Sequence, residues 1–348
     1  MKAIRLHGPQ DARYEDVPDP RPGSDDVLIK VKSVAICATD VELYEGTMFY
    51  LTSGLTKYPF IPGHEWCGEV VEVGRNAKAD FQPGDAVVGE CSIGCRQCRR
   101  CQNGLYHLCA NRSETGLLKQ AGAMAEYISY PRFFLHKVGD LPHEQAAFIE
   151  PTGIAVHPSR KTGITPADRV MIMGAGPIGL FATQVAKAYG AKQILTVDGI
   201  ESRLRIAEEL GADVGLNYSE NFEARVLDLT DGEKVDVVIE AVGKKSVWPL
   251  IAAAIAPGAR IAMTGLFAGE ICDVNFDPLV VGQASIFGCL GAPGMWPECI
   301  SLHQRGLIQT DKIVTHRMLL SQFSEAIEIA RNRGDGVIKI ILTPQPHQ

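Results

Sequence analysis

Cys95, Cys98, Cys101 and Cys109 fall within 15 residues in the pattern C-x2-C-x2-C-x7-C. Four thiolates so spaced can close a tetrahedral structural zinc site. The Gly, Arg and Gln residues around them offer no evident apolar core, so this lobe is expected to fold by ligation instead of burial. Six of the ten cysteines lie between Cys67 and Cys109, and such clustering favours metal over disulfides. Cys91 stands outside the spacing and reads as a packed free thiol.

A second donor set is dispersed: Cys37, then His64-Glu65, then Glu150. Sulfur, nitrogen and oxygen donors from separate segments suit a catalytic zinc, where three protein ligands leave one position for water or substrate. Taken singly, each has an ordinary reading as well. Cys37 fits a small core residue after Val34-Ala35-Ile36, His64 a hydrogen-bonded turn histidine, and Glu150, ahead of Pro151, a helix-entry acid.

A third constellation is Gly174-Ala175-Gly176-Pro177-Ile178-Gly179, between an apolar run and a helical pattern. In that context the first glycine permits a tight turn, the second lets backbone approach a pyrophosphate, and the third lets the helix pack on the strand. Helix-start amides then face the phosphates. Asp198, 19 residues after Gly179, is placed to hydrogen-bond the adenosine ribose hydroxyls. Its charge would oppose a 2'-phosphate, so NAD is favoured over NADP, although Arg203 and Arg205 nearby offer cations for such a phosphate.

The elements that must carry these residues change character along the chain. Up to about Tyr130, short β-branched runs cut by Gly and Pro, such as 27–34, 68–73 and 85–88, predict a compact β-rich barrel. From Arg169 strand and helix patterns alternate: strands at 169–173, 193–197, 235–240, 260–263 and 285–289, helices at 177–189, 201–209 and 246–255. This predicts a doubly wound parallel sheet. A helix near 321–331 and a strand at 336–342 then return to the first domain. The expected division is residues 1–152 with 291–348, including a zinc lobe near 91–110, and a nucleotide domain over 153–290.

At 348 residues with 46% hydrophobic content, the chain can fill two cores. A net charge of -7 without a basic block excludes an evident nucleic-acid or anionic-membrane surface and favours small solutes. No apolar leader opens the chain and no segment reaches membrane-spanning length, so a soluble, cytoplasmic protein is expected.

Gly63-His64-Glu65-x2-Gly68-x5-Gly74 resembles the signature of zinc-containing medium-chain alcohol dehydrogenases. Cys37-Ala38-Thr39-Asp40 is similar to that family's first zinc-ligand segment, Gln82-Pro83-Gly84-Asp85 to its barrel turn, and the cysteine quartet to its structural zinc loop. The resemblance covers essentially the whole chain. It implies a GroES-like catalytic barrel beside a Rossmann nucleotide domain, NAD and two zinc ions per chain. Cys37 and His64 would bind the catalytic zinc, with Glu65 and Glu150 sharing the remaining protein coordination directly or through water. Val242 and Leu266 join Gly174, Gly176, Pro177, Ile178, Gly179, Asp198 and Arg203 as cofactor contacts.

Ethanol-type members carry a second cysteine near Glu150, whereas sorbitol dehydrogenase-like members carry the Glu-Pro pair seen here. The resemblance therefore implies a secondary alcohol, a polyol, sugar alcohol or cyclitol, exchanged reversibly with its ketone. Threonine-type amino-alcohol or sugar-acid oxidation is the alternative, and a non-catalytic nucleotide-binding sensor or structural protein is a reading of another class. In the implied mechanism zinc lowers the pKa of the substrate hydroxyl. Thr39 takes the hydroxyl proton and passes it through the nicotinamide ribose towards Glu42 or solvent. Glu42 stands where many members have the histidine that ends this relay. Asp40 either orients His64 or caps a turn. The stretch Tyr44 to Tyr58, with Met48, Phe49 and Tyr50, is expected either to line the substrate mouth or to form a surface loop. A strand near Ser285 to Cys289 would pair nucleotide domains into a homodimer or homotetramer.

Overall fold

The run Val27, Ile29, Val31 alternates with half-buried Leu28, Lys30 and Lys32, and burial becomes continuous from Ser33 to Ile36. Period-two burial followed by full burial describes a strand that leaves the sheet surface for the interior. In the computed structural model, which describes residues 1–218, 221–334 and 336–344, this strand, Asp26–Ile36, is the hub of the first unit. It pairs antiparallel with Glu65–Val73, Lys339–Thr343 and Tyr127–Pro131 in a seven-stranded sheet that also holds Ala86–Gly89, Leu135–Lys137 and Val314–Leu319. Trp66 and Tyr130 meet edge to face at 5.3 Å in the core beneath. Trp66 is 1% exposed, so truncation to alanine is expected to cost about 3–5 kcal/mol.

The second unit is a six-stranded, all-parallel sheet. Its spatial order is Val214–Asn217, Gln193–Asp198, Arg169–Met173, Val235–Glu240, Ile255–Met263 and Ser285–Gly288. In the unit's own numbering that is 3-2-1-4-5-6, the doubly wound dinucleotide order. The inner strands are buried along almost their whole length, as parallel strands covered by helices must be. Pro177–Ala188, Glu201–Leu210, Phe222–Leu229 and Trp248–Ala254 supply helical connections.

A β-rich unit and a parallel-sheet unit are the two units expected. The division differs in detail: one unit holds residues 1–150, 296–304 and 310–348, the other 151–295 and 305–309. Residues 305–309 go with the nucleotide unit because the Gln184 side-chain amide donates to the Gln309 carbonyl at 3.2 Å and accepts from the Gln309 amide at 2.6 Å. Side-chain pairing of that kind leaves no hydropathy signal. No helix among the described residues is long and apolar enough to cross a membrane.

Candidate active site and metal centres

Sheet register explains how the dispersed donors meet. Ala35 faces Glu65 on one neighbouring strand and Ile36 faces Ile340 on the other. Cys37 leaves the hub strand one residue later, between the beginning of the Glu65 strand and Lys339. It caps the helix Ala38–Glu45: its amide donates to the Asp40 carboxylate at 2.8 Å, and the Asp40 amide donates to its carbonyl at 3.0 Å. Gly63 sets His64 with a φ of +99°, and a side chain there would press on Met124.

A Cys37 thiol, a His64 ring nitrogen and a Glu65 carboxylate oxygen lie within 4.8 Å of one another. His64 Nδ1 and Glu65 Oε2 are buried without a hydrogen-bond partner among the described residues. Glu65 Oε1 accepts from Lys339 Nζ at 2.6 Å, with both side chains almost fully buried. Burial works against the Lys339 charge, yet Glu65 and Cys37 keep its pKa above the ordinary lysine value. Glu150, at the start of the helix Ile149–Thr162, is buried and lies within electrostatic reach of His64, Glu65 and Asp40. It stands outside the three-donor cluster. Burial pushes its carboxyl up to about 7, with His64 opposing the rise and Glu65 adding to it. Burial likewise raises Asp40 against the opposing pull of His64. For His64, burial disfavours the charged ring, but Cys37, Asp40 and Glu150 outweigh it and lift its pKa well above normal.

Three buried carboxylates and a thiol thus crowd around one lysine and one histidine, a balance that a divalent cation corrects. The soft and intermediate donors, together with the orphaned buried atoms, fit zinc. Of Asp40's two expected roles, the capping one is seen: Oδ2 holds the Cys37 amide, whereas Oδ1 has no hydrogen-bond partner among the described residues. Cys37 Sγ lies 3.8 Å from Thr39 Oγ1, and Thr39 is half-buried on the first turn of the same helix. Glu42 sits on that helix's exposed side. Desolvation and then Glu45 raise its pKa.

The cysteine quartet is the second candidate centre. Sulfur atoms of Cys95 and Cys101, Cys98 and Cys101, and Cys98 and Cys109 are 3.9, 3.6 and 3.7 Å apart. Four Zn–S bonds of about 2.3 Å in a tetrahedron require separations of about 3.8 Å. The backbone amides of Gln97 and Cys98 hold the Cys95 thiol down to about 6, and the Cys101 amide lowers Cys98. The Asn111 amide donates to Cys109 Sγ at 3.3 Å. Cys91 lies apart from the quartet, packed against the barrel core, with its carbonyl accepting the Thr115 amide.

In the second unit, Gly174 has a φ of +99°, and a side chain there would meet Val242 at 2.8 Å. Nothing lies within 4 Å of the Gly176 side-chain position, leaving the approach open, and a Cβ at Gly179 would collide with the Gly174 carbonyl. The helix at Pro177 starts without a side-chain cap, so its first amides are available to an anion. Asp198 accepts from the Ala175 amide at 2.7 Å and from the Ile200 amide at 2.9 Å, which fastens it to the glycine turn. A carboxylate has about four lone-pair sites, so acceptors remain for ribose hydroxyls. Arg203 lies in the first turn of the next helix, while Val242 and Leu266 are exposed on the loops after two later strands.

Two features differ from a simple mouth loop in the 44–58 stretch. Tyr44, Met48 and Tyr50 are buried in the barrel core, whereas Phe49 is 66% exposed. Arg112 donates to the Tyr50 hydroxyl at 2.8 Å and to Glu114 at 2.6 Å, anchoring the stretch beside the cysteine lobe. Lys339 was not expected at all. Its one signal was a lysine at an apolar position of the run Val337-Ile338-Lys339-Ile340-Ile341-Leu342.

Residues 23–140 match the alcohol dehydrogenase GroES-like domain and residues 177–305 match the zinc-binding dehydrogenase domain. The chain is 33% identical to an erythritol/L-threitol dehydrogenase of Mycolicibacterium smegmatis, over 99% of this chain and 98% of that one. It is 35% identical to an L-threonine 3-dehydrogenase of Shewanella frigidimarina, over 98% and 99% of the two chains. A solved short chain alcohol dehydrogenase of Escherichia coli CFT073, complexed with NADH, superposes with a TM-score of 0.90 at 29% identity, covering 99% of each chain.

Proposed function

The chain belongs to the zinc-binding alcohol dehydrogenase family, and from that premise we propose that it oxidises a secondary alcohol of the polyol or cyclitol class reversibly to its ketone with NAD. The observation that carries this reading is the donor set of half-buried Cys37 with buried His64 and Glu65, with Glu150 and Lys339 beside it. In this reading residues 1–150, 296–304 and 310–348 form the catalytic domain and the parallel-sheet unit is the nucleotide domain.

Cys37, His64 and either Glu65 or Glu150 would hold the catalytic zinc, which when bound supplies Lewis acidity to the substrate oxygen. NAD supplies the hydride acceptor. Every other task falls to the chain. The Thr39 hydroxyl accepts the substrate hydroxyl proton and hands it on towards Glu42 or solvent. Asp40 fixes the Cys37 backbone, and Lys339 fixes one oxygen of Glu65 while leaving the other free to coordinate. Cys95, Cys98, Cys101 and Cys109 would hold a second, structural zinc. Asp198 would receive the adenosine ribose, and the glycine turn with the Pro177 helix start the pyrophosphate.

The Glu150-Pro151 pair and the similarity to the erythritol/L-threitol enzyme favour a polyol. Similarity to an L-threonine 3-dehydrogenase supports an amino alcohol as the second reading. A homodimer or homotetramer is part of the proposal: the edge strand Ser285–Gly288 carries Ile286 at the surface, and Val280 and Val281 of the preceding helix are 73% and 85% exposed. An exposed apolar edge favours pairing with a second copy. We also place the protein in the cytoplasm, where ten free cysteines would stay reduced.

The test is NAD reduction across tetritols, hexitols, cyclitols and threonine, with and without a chelator, alongside light scattering for assembly. Chelator-sensitive turnover of a polyol is the expected result. Turnover of threonine alone would select the second reading, and activity indifferent to exhaustive metal removal would defeat both.

A further inference from the structure

Glu240 ends the strand Val235–Glu240 and is fully buried, yet no cation pairs with it among the described residues. A buried carboxylate is tolerated when directed donors replace the lost water. Here the donors are backbone amides from two loops. Glu240 Oε1 accepts from Val242 and Gly243, each at 2.7 Å, and Oε2 accepts from Gly265 at 3.3 Å. Its carbonyl accepts the Thr264 amide at 2.9 Å and the Thr264 hydroxyl at 2.6 Å. One residue therefore ties the 241–243 loop to the 264–266 loop.

The two loops touch backbone to backbone. Gly243 has a φ of +68°, and a side chain there would strike the Leu266 carbonyl; a side chain on Gly265 would strike the Gly243 amide. The first loop is also rooted beside the glycine turn: the Ala241 amide donates to the Met173 carbonyl at 3.0 Å, and Val242 occupies the space beside Gly174. Both loops follow the carboxyl ends of strands in the second half of the sheet, where the doubly wound fold receives the second nucleotide of a dinucleotide. Asp198 belongs to the first half.

We propose that Glu240 is a positioning residue for the nicotinamide half of the dinucleotide site, clamping the Val242 and Leu266 loops into one surface. This rests on the dinucleotide reading given above. Val242 and Leu266 keep their side chains exposed, at 40% and 75%, so the clamp fixes their backbone while leaving them to meet a ligand. A glutamine would turn its amide group towards a backbone N–H, so one oxygen's bonds would be lost while the side-chain shape is kept.

The experiment measures NADH binding by fluorescence and AMP binding by calorimetry on the full chain and on Glu240→Gln, with the melting temperature of each. AMP probes the adenosine half alone. The expected result is an NADH Kd raised about tenfold with the AMP Kd unchanged. Thr264→Val removes only the hydroxyl bond and leaves the carboxylate in place, so it should show the same selective loss at about threefold even if Glu240→Gln folds poorly. Equal weakening of both ligands, or no change in either variant, would overturn the clamp while leaving the dinucleotide reading intact. Failure of the wild-type chain to bind NADH would overturn that reading and the clamp with it.

Discussion

The two candidate metal centres are built on opposite principles. The cysteine quartet is local, with three half-buried thiols and one buried, and is held by its own loop, with donors 14 residues apart at most. The Cys37 centre is buried and assembled from segments whose paired residues, Glu65 and Lys339, lie 274 positions apart. A local centre folds the loop that carries it, and that loop packs on the barrel core through Ile93 and Tyr106, so loss of its metal is expected to cost stability. A centre placed by sheet register stands only if the sheet stands, and its donors add little to the sheet's own stability. The first should therefore report on folding and the second on chemistry.

The largest expected effect breaks the comparison at the buried end. Cys37→Ser should lower turnover by about a thousandfold or more with the melting temperature nearly unchanged, because it removes transition-state stabilisation and not packing. Steady-state rates and a thermal scan check both halves. The mirror experiment is Cys98→Ser, which should lower the melting temperature strongly while the folded fraction still binds NADH; an unchanged melting temperature would argue against a structural site.

Lys339→Met sharpens the distinction. It leaves Glu65 buried without its cation, for which a cost of about 3–5 kcal/mol is expected in denaturant unfolding of metal-stripped protein. The penalty should shrink when zinc is restored, since the ion supplies the missing positive charge. An equal penalty in both states would mean that Glu65 does not sense the metal.

A milder contrast lies in pH. Amides of Gln97 and Cys98 hold the Cys95 thiol down to about 6, whereas burial pushes Cys101 up to about 12, so zinc must displace a proton from the quartet throughout the neutral range. The zinc affinity of Cys37→Ser, measured from pH 8 to pH 5, should weaken continuously and more steeply below about 6, where Cys95 also takes up a proton; an affinity independent of pH would contradict this account. Smallest of all, Asp198→Ala should reduce the NAD-to-NADP ratio of kcat/KM by about tenfold.

Legibility in the sequence follows the same division. The quartet, the glycine turn and the buried strands at 169–173 and 235–240 are local patterns, and spacing or hydropathy alone exposes them. Cys37, His64, Glu65 and Glu150 are ordinary residues one at a time, and it took the family signature to bring them together. Lys339 escaped because its partner is supplied by strand pairing, and Glu240 because its partners are backbone amides that every residue but proline carries. The stretch Tyr44 to Tyr58 reads equally as a substrate mouth or a surface loop, because the Arg112 and Glu114 network that anchors it is tertiary. Residues 305–309 changed units through one glutamine pair, again a contact without a periodic signal.

Zinc content per chain, determined with turnover on the same wild-type, Cys37→Ser and Cys98→Ser samples, tests the central claim most directly. The account predicts about two zinc ions in the wild type and about one in each variant, with turnover abolished in Cys37→Ser and kept by the folded fraction of Cys98→Ser. A Cys37→Ser protein that retains two zinc ions and full turnover would contradict it.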